Sequence, residues 1–219
     1  MNILIISDIH GAVDKVKLLR EEAEAADLVI AAGDITHFGS VGDAAAVLDR
    51  LREYNPQVKA IAGNCDDPEI EAYLEEEELL LDQEGCRIEG LTFLGLSGAL
   101  SGPVSTPYEI TEETIAARLA SIPPAGENCT ILISHQPPQR TIADRAMKVK
   151  HVGSRSVREW IEKNRPTLVV CGHIHESFGS QQLGPSMVLN PGALKDGRYA
   201  TVEILPEDCK VTVELKRLG

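Results

Sequence analysis

The feature that most constrains this chain is one local pattern repeated five times. Short apolar runs rich in Ile and Val give way at once to Asp, Asn or His. Asn2–Ile6 leads into Ser7-Asp8-Ile9-His10, Leu28–Ala32 into Gly33-Asp34, and Val58–Ala62 into Gly63-Asn64-Cys65-Asp66. Thr130–Ile133 leads into Ser134-His135 and Thr167–Cys171 into Gly172-His173-Ile174-His175. Runs of this length and composition predict buried strands. Helical patterns lie between several of them, over Val13 to Ala26, Gly42 to Tyr54 and Val157 to Lys163. Strands alternating with helices predict an α/β fold with a largely parallel sheet, whose carboxyl-terminal loops converge on one crevice.

Four of the six histidines fall in these loops. Gly33, Gly63 and Gly172 are expected to let the chain turn sharply out of its strands. The spacing of two in Asp8-x-His10 and His173-x-His175 would direct both side chains of each pair to one side of an extended segment. Each piece alone has an ordinary reading, as a turn, a cap or a structural imidazole. Their joint recurrence at five strand ends points to shared metal coordination. Carboxylate, amide and imidazole donors without a required thiolate suit Mn²⁺, Fe²⁺ or Zn²⁺, with Ni²⁺ also compatible.

In chain order these blocks read D-x-H, G-D, G-N-C-D, H and G-H-x-H, and in this the sequence resembles the calcineurin-like metallophosphoesterase superfamily. The resemblance runs from Met1 to about Ala193 and includes the Asn190-Pro191-Gly192 turn. It implies a four-layer α/β sandwich with two sheets between helical layers. It also implies two divalent ions, manganese first among the candidates. One would be held by Asp8, His10, Asp34 and His175, the other by Asp34, Asn64, His135 and His173. The activity implied is hydrolysis of a phosphoester by a hydroxide shared between the ions.

Many members of the family have a histidine where this chain has Cys65, and there it serves the leaving group. The G-N-C-D variant resembles small bacterial and archaeal phosphodiesterases, which favours a diester over a monoester or a nucleotide pyrophosphate. Cys65 itself could pack, act as a nucleophile or respond to redox. His37 could face the substrate as a proton donor or be a loop histidine, and Asp66 could orient a neighbouring histidine or cap a turn. The basic stretch Arg140, Arg145, Lys148, Lys150, Arg155 and Arg158, with His151 inside it, could meet phosphate or simply face solvent. Glu75 to Glu78 are read as a solvated helix end.

With 219 residues and 43% hydrophobic content, the chain is expected to form a single domain over 1–219. A net charge of -13 disfavours nucleic-acid binding but leaves room for a small phosphorylated substrate. With the last motif close to the final residue, a repair-type nuclease carrying a DNA-capping domain is not expected. No leader or membrane-spanning stretch is read, so a cytoplasmic protein without membrane contact is expected, with a homodimer as the default assembly. The five cysteines are odd in number and lack a C-x-x-C pair, which suggests neither a disulfide framework nor structural zinc. A protein-binding scaffold on the same fold is the non-enzyme alternative.

Overall fold

The computed structural model describes residues 1–122, 129–147 and 149–219; Lys148 of the basic stretch lies outside them. The chain opens with β1 (Asn2–Ile6), α1 (Val13–Lys17), α2 (Arg20–Ala25), β2 (Leu28–Ala32), α3 (Val41–Tyr54), β3 (Val58–Ile61) and α4 (Pro68–Glu76). Next come β4 (Cys86–Ile88), β5 (Leu91–Leu96), the short pair β6 (Ala99–Leu100) and β7 (Glu109–Ile110), α5 (Glu112–Ser121) and β8 (Thr130–Ser134). The hairpin β9 (Arg145–Ala146) and β10 (Lys150–His151) precedes α6 (Arg155–Asn164) and β11 (Leu168–Val170). The chain then adds β12 (Gly179–Leu183), β13 (Ser186–Asn190), β14 (Arg198–Leu205) and β15 (Lys210–Arg217).

Two sheets result, ordered β15-β14-β1-β2-β3 and β12-β13-β11-β8-β5-β4. The strand period of two explains why they stack. In β1, Ile3 and Ile5 meet Phe93, Ile131 and Val170 of the other sheet, while Leu4 and Ile6 face the layer of α1 to α4. Leu94, Leu132 and Val169 turn the opposite way, toward α5 and α6. The motif-bearing strands are therefore largely apolar on both faces, with Lys59 of β3 the charged exception, and each fully buried Ile or Phe contributes about 1.5–3 kcal/mol. The outcome is the four-layer α/β sandwich.

The five motif-bearing strands do not share the one largely parallel sheet that their alternation with helices suggests, but are divided between the two sheets. β1, β2 and β3 are parallel in the first sheet, β8 and β11 are parallel in the second, and the late strands β14 and β15 close the edge of the first. Antiparallel pairing of β14 with β1 satisfies the edge that the parallel strands would leave open. The helix expected over Val13 to Ala26 breaks at Leu18, where the amides of Leu18 and Leu19 bond three residues back rather than four. That tightening swings Leu19 into the core. The third helix starts where a capping box of Ser40 and Asp43 satisfies its first amides. Glu75 to Glu78 are exposed at the end of α4, and no helix among the described residues is long and apolar enough to cross a membrane.

The cysteine expectation is corrected. Cys129 and Cys209, 80 residues apart, form a disulfide, leaving Cys65, Cys86 and Cys171 free. No local motif signals the pair, because only the stacking of the sheets brings the start of β8 against the β14–β15 turn. The bridge lies at the end of β8 remote from His135. Cys209→Ser is thus expected to lower stability by about 2–4 kcal/mol, read as a drop in Tm, while metal content and turnover stay at the parent level. A change in turnover at a temperature where both proteins are folded would contradict that separation.

Candidate functional site

The loops after β1, β2, β3, β8 and β11 meet at one edge of the sandwich. Beyond the strand ends the β1–β2 ladder continues, with Asp8 N–H donating to Gly33 O and His10 N–H to Asp34 O at 3.0 and 2.9 Å. Neither Asp8-x-His10 nor His173-x-His175 is extended. Asp8, His10, Asp34 and His173 all adopt left-handed backbone angles, with φ of 52°, 50°, 51° and 68°. Such angles are strained for non-glycine residues and concentrate at functional sites. The side chains converge through these turns and not through strand alternation. The glycines likewise divide in role. Gly33 has φ +90°, but Gly63 and Gly172 are needed for space, since a Cβ would overlap Asp34 at the first and Ser7 and Asp8 at the second.

The polar atoms form two groups. In one, His10 Nε2 lies 3.1 Å from His175 Nε2 and 3.6 Å from Asp34 Oδ2, and His175 Nε2 lies 3.1 Å from Asp8 Oδ1. Atoms of Asp8, His10, Asp34 and His175 all fall within 4.8 Å of one another, close enough to hold one ion. In the other, His135 Nε2 sits 3.3 Å from Asp34 Oδ1 and 3.2 Å from Asn64 Oδ1, and His173 Nδ1 sits 2.7 Å from the same amide oxygen. Asp34 has one oxygen in each group. Its Oδ1 also accepts the Cys65 N–H at 2.7 Å.

These atoms fit cations. His135 Nδ1 lies 2.8 Å from the Ala32 carbonyl, which can only accept, so Nδ1 carries the proton and neutral His135 turns a lone pair toward two oxygens. Three acceptors facing one another call for a positive charge between them. Without an ion, a proton fills that role: burial pulls the His135 imidazolium down, but Asp34 and Asp8 outweigh it and lift its pKa to about 9. Burial pushes His10 and His173 down to about 4, which favours neutral imidazoles ready to coordinate. Burial would raise the Asp8 and Asp34 carboxyls, yet the neighbouring histidines hold both below the ordinary range. Asp8 Oδ2 is buried and has no hydrogen-bond partner, as expected of an oxygen reserved for a metal.

Residues 1–206 match the profile of the calcineurin-like phosphoesterase superfamily domain. The chain belongs to this superfamily. An uncharacterised protein of Methanocaldococcus jannaschii is 37% identical over 195 residues, spanning 87% of this chain and 88% of that one. A Thermus thermophilus crystal structure shares the fold at TM-score 0.75 and 19% identity, covering 100% of this chain and 99% of the other. A dimetal phosphatase from Danio rerio superposes at TM-score 0.68 and 12% identity, covering 100% and 96%. A structure described as a novel archaeal phosphodiesterase does so at 0.55 and 17%, covering 99% and 100%.

Within this superfamily domain the remaining candidates separate. Cys65 lines the cavity over the two groups, and burial together with the Asp34 carboxylate pushes its thiol well above the ordinary thiol range, against a nucleophilic thiolate. His37 is exposed on the same cavity, with Nδ1 3.2 Å from His10 Nδ1. Asp66 bonds no histidine. It is buried and accepts from the amides of Ile35, Thr36 and Gly63 and from the Thr36 hydroxyl, clamping the β2 and β3 loops together. Burial and the Asp34 charge push its carboxyl up to about 6.

The basic stretch is divided. Arg155 and Arg158 pair with Glu159 and Glu162 on their own helix, and His151 bonds buried Asp144 at 2.6 Å. Among its described residues only Lys150 lines the cavity. Among the cavity residues that no sequence motif marks are Phe38 and Lys195. Lys195 follows the Asn190-Pro191-Gly192 turn, whose Asn190 amide holds the carbonyls of Gly172 and Ile174 at 3.4 and 3.1 Å. The Lys195 N–H donates to Asp8 O at 3.3 Å. A lysine three residues past a turn that locks the G-H-x-H loop was the available signal.

Proposed function

We propose that this chain hydrolyses a phosphodiester of a small substrate at a site for two divalent metal ions. The observation that carries the reading is the division of Asp34, with Oδ2 toward His10 and Oδ1 toward His135. In this reading Asp8, His10, Asp34 and His175 hold one ion, Asp34, Asn64, His135 and His173 hold the other, and Asp34 is shared. Manganese is the first candidate, with iron, zinc and nickel compatible with the same donors. Two such ions, when bound, supply Lewis acidity at the phosphoryl group and a water-derived nucleophile at neutral pH.

The protein's own part is orientation. Ala32 O fixes the His135 ring, and the Asn64 amide N–H₂ lies 3.5 Å from Cys65 Sγ, which leaves Asn64 Oδ1 facing inward. A neutral Cys65 thiol is a weak proton donor, so the substrate's leaving group departs with little help from this position. The resemblance of G-N-C-D to phosphodiesterases and the archaeal phosphodiesterase among the structural neighbours support a diester.

The test is a screen of aryl monoesters, aryl diesters, cyclic nucleotides and dinucleotides against Mn²⁺, Ni²⁺, Zn²⁺ and Mg²⁺. Metal-stimulated hydrolysis of bis(p-nitrophenyl) phosphate above p-nitrophenyl phosphate is expected. Cys65→His should keep the metal content and raise monoester relative to diester turnover by on the order of 10-fold or more. Protein that binds no metal and hydrolyses none of these esters would favour a scaffold instead.

A further inference from the structure

The cavity over the two groups has a volume of about 770 Å³, enough for a whole small molecule. Asp34 is the only carboxylate among its lining residues, whereas Lys150 and Lys195 both line it. Neither lysine forms an ion pair among the described residues. In a chain of net charge -13, two unpaired cations at one opening suit the arrival of an anion.

Much of the remaining wall is apolar, from Leu100, Val104, Val152, Ile174 and Phe38. Phe38 is the anomaly among them. Its side chain is exposed, at 50%, and its backbone is left-handed with φ +58°, a conformation strained for a bulky residue. The position is held by a 3.0 Å bond from its N–H to Cys65 O and by stacking of its ring on His37, with centroids 4.6 Å apart. Exposure and strain both run against stability, and together they present an aromatic face to the cavity. The surroundings extend the same character: Met147 and Val149, each 81% exposed, lie in the β9–β10 turn whose flanking Ala146 and Lys150 line the cavity.

We propose that Phe38 determines specificity by stacking on a flat aromatic group of the substrate while Lys195 receives the phosphate. The substrate is then a phosphodiester bearing an aryl group or a nucleobase. This rests on the phosphoesterase reading above, and the experiment separates the two.

Binding of the phenyl, thymidine 5′, octyl and methyl esters of methylphosphonate to Mn²⁺-loaded protein is measured by calorimetry, which needs no turnover. The phenyl or thymidine ester should bind at least about 5-fold tighter than the methyl ester, the arm that wins telling aryl group from nucleobase. Phe38→Ala should erase that advantage, by about 5- to 150-fold, and Phe38→Tyr should keep it. Lys195→Ala should weaken all four esters by one common factor. Tightest binding of the octyl ester, equal binding of all four, or an equal loss for every ester in Phe38→Ala would overturn the proposal. Hydrolysis of bis(p-nitrophenyl) phosphate is followed separately. Its absence alongside an intact Phe38-dependent preference would remove the hydrolytic reading and leave the aromatic site standing.

Discussion

Asp34→Asn is expected to lower the content of both metal ions, measured by elemental analysis after dialysis, and to reduce turnover by on the order of 10³-fold or more. The substitution is nearly isosteric. An asparagine oxygen can still accept the Cys65 N–H that Asp34 Oδ1 accepts at 2.7 Å, so the loop after β3 keeps its anchor. What changes is charge. The first group keeps only Asp8 as an anion, and the second, built otherwise from Asn64, His135 and His173, keeps none. An amide N–H₂ would also replace an acceptor oxygen facing either His10 or His135. Circular dichroism should remain that of the parent. Loss of one ion with retention of the other would show that Asp34 is not shared, and parent-level turnover would remove Asp34 from the site altogether.

The sequence carried the part of this site that depends on strand ends. Asn2–Ile6 and Leu28–Ala32 were legible to the residue, because runs buried on both faces leave an unbroken apolar signature. The meeting of Asp8, Asp34, Asn64, His135, His173 and His175 at one edge was legible for the same reason, since each follows such a run directly. Assignment of strands to sheets was not, as β2 and β8 are both five-residue, fully buried runs and nothing local to either names its partners. The Cys129–Cys209 bridge and the pairing of β14 with β1 are consequences of stacking and have no local sign. Phe38 and Lys195 escaped because each sits in a loop just past a legible motif, where position depends on torsions such as the left-handed angle at Phe38. Asp66, open in the sequence between a histidine partner and a turn cap, takes the second role, extended to the amides of two loops that are distant in sequence.

Asp66→Ala is expected to cost about 3–5 kcal/mol of stability, and metal affinity by about 10- to 100-fold. Asp66 is fully buried, and its two oxygens accept from Ile35 N–H, Gly63 N–H, Thr36 N–H and the Thr36 hydroxyl at 3.0, 2.8, 2.7 and 2.9 Å. Alanine strands three amides where no other acceptor is in place, each worth about 1–3 kcal/mol when left unmade. Those amides belong to the loops that aim Asp34 and Asn64, so the damage reaches both oxygens facing His135. Asp67→Ala is the matched control one residue away. Asp67 caps α4 by accepting the Glu69 N–H at 2.9 Å on an exposed surface. Its loss should cost only about 1 kcal/mol and leave metal affinity unchanged. Equal effects of the two substitutions on Tm and on metal content would mean that the clamp does not position the site, and that Asp34 and Asn64 are held by their strands alone.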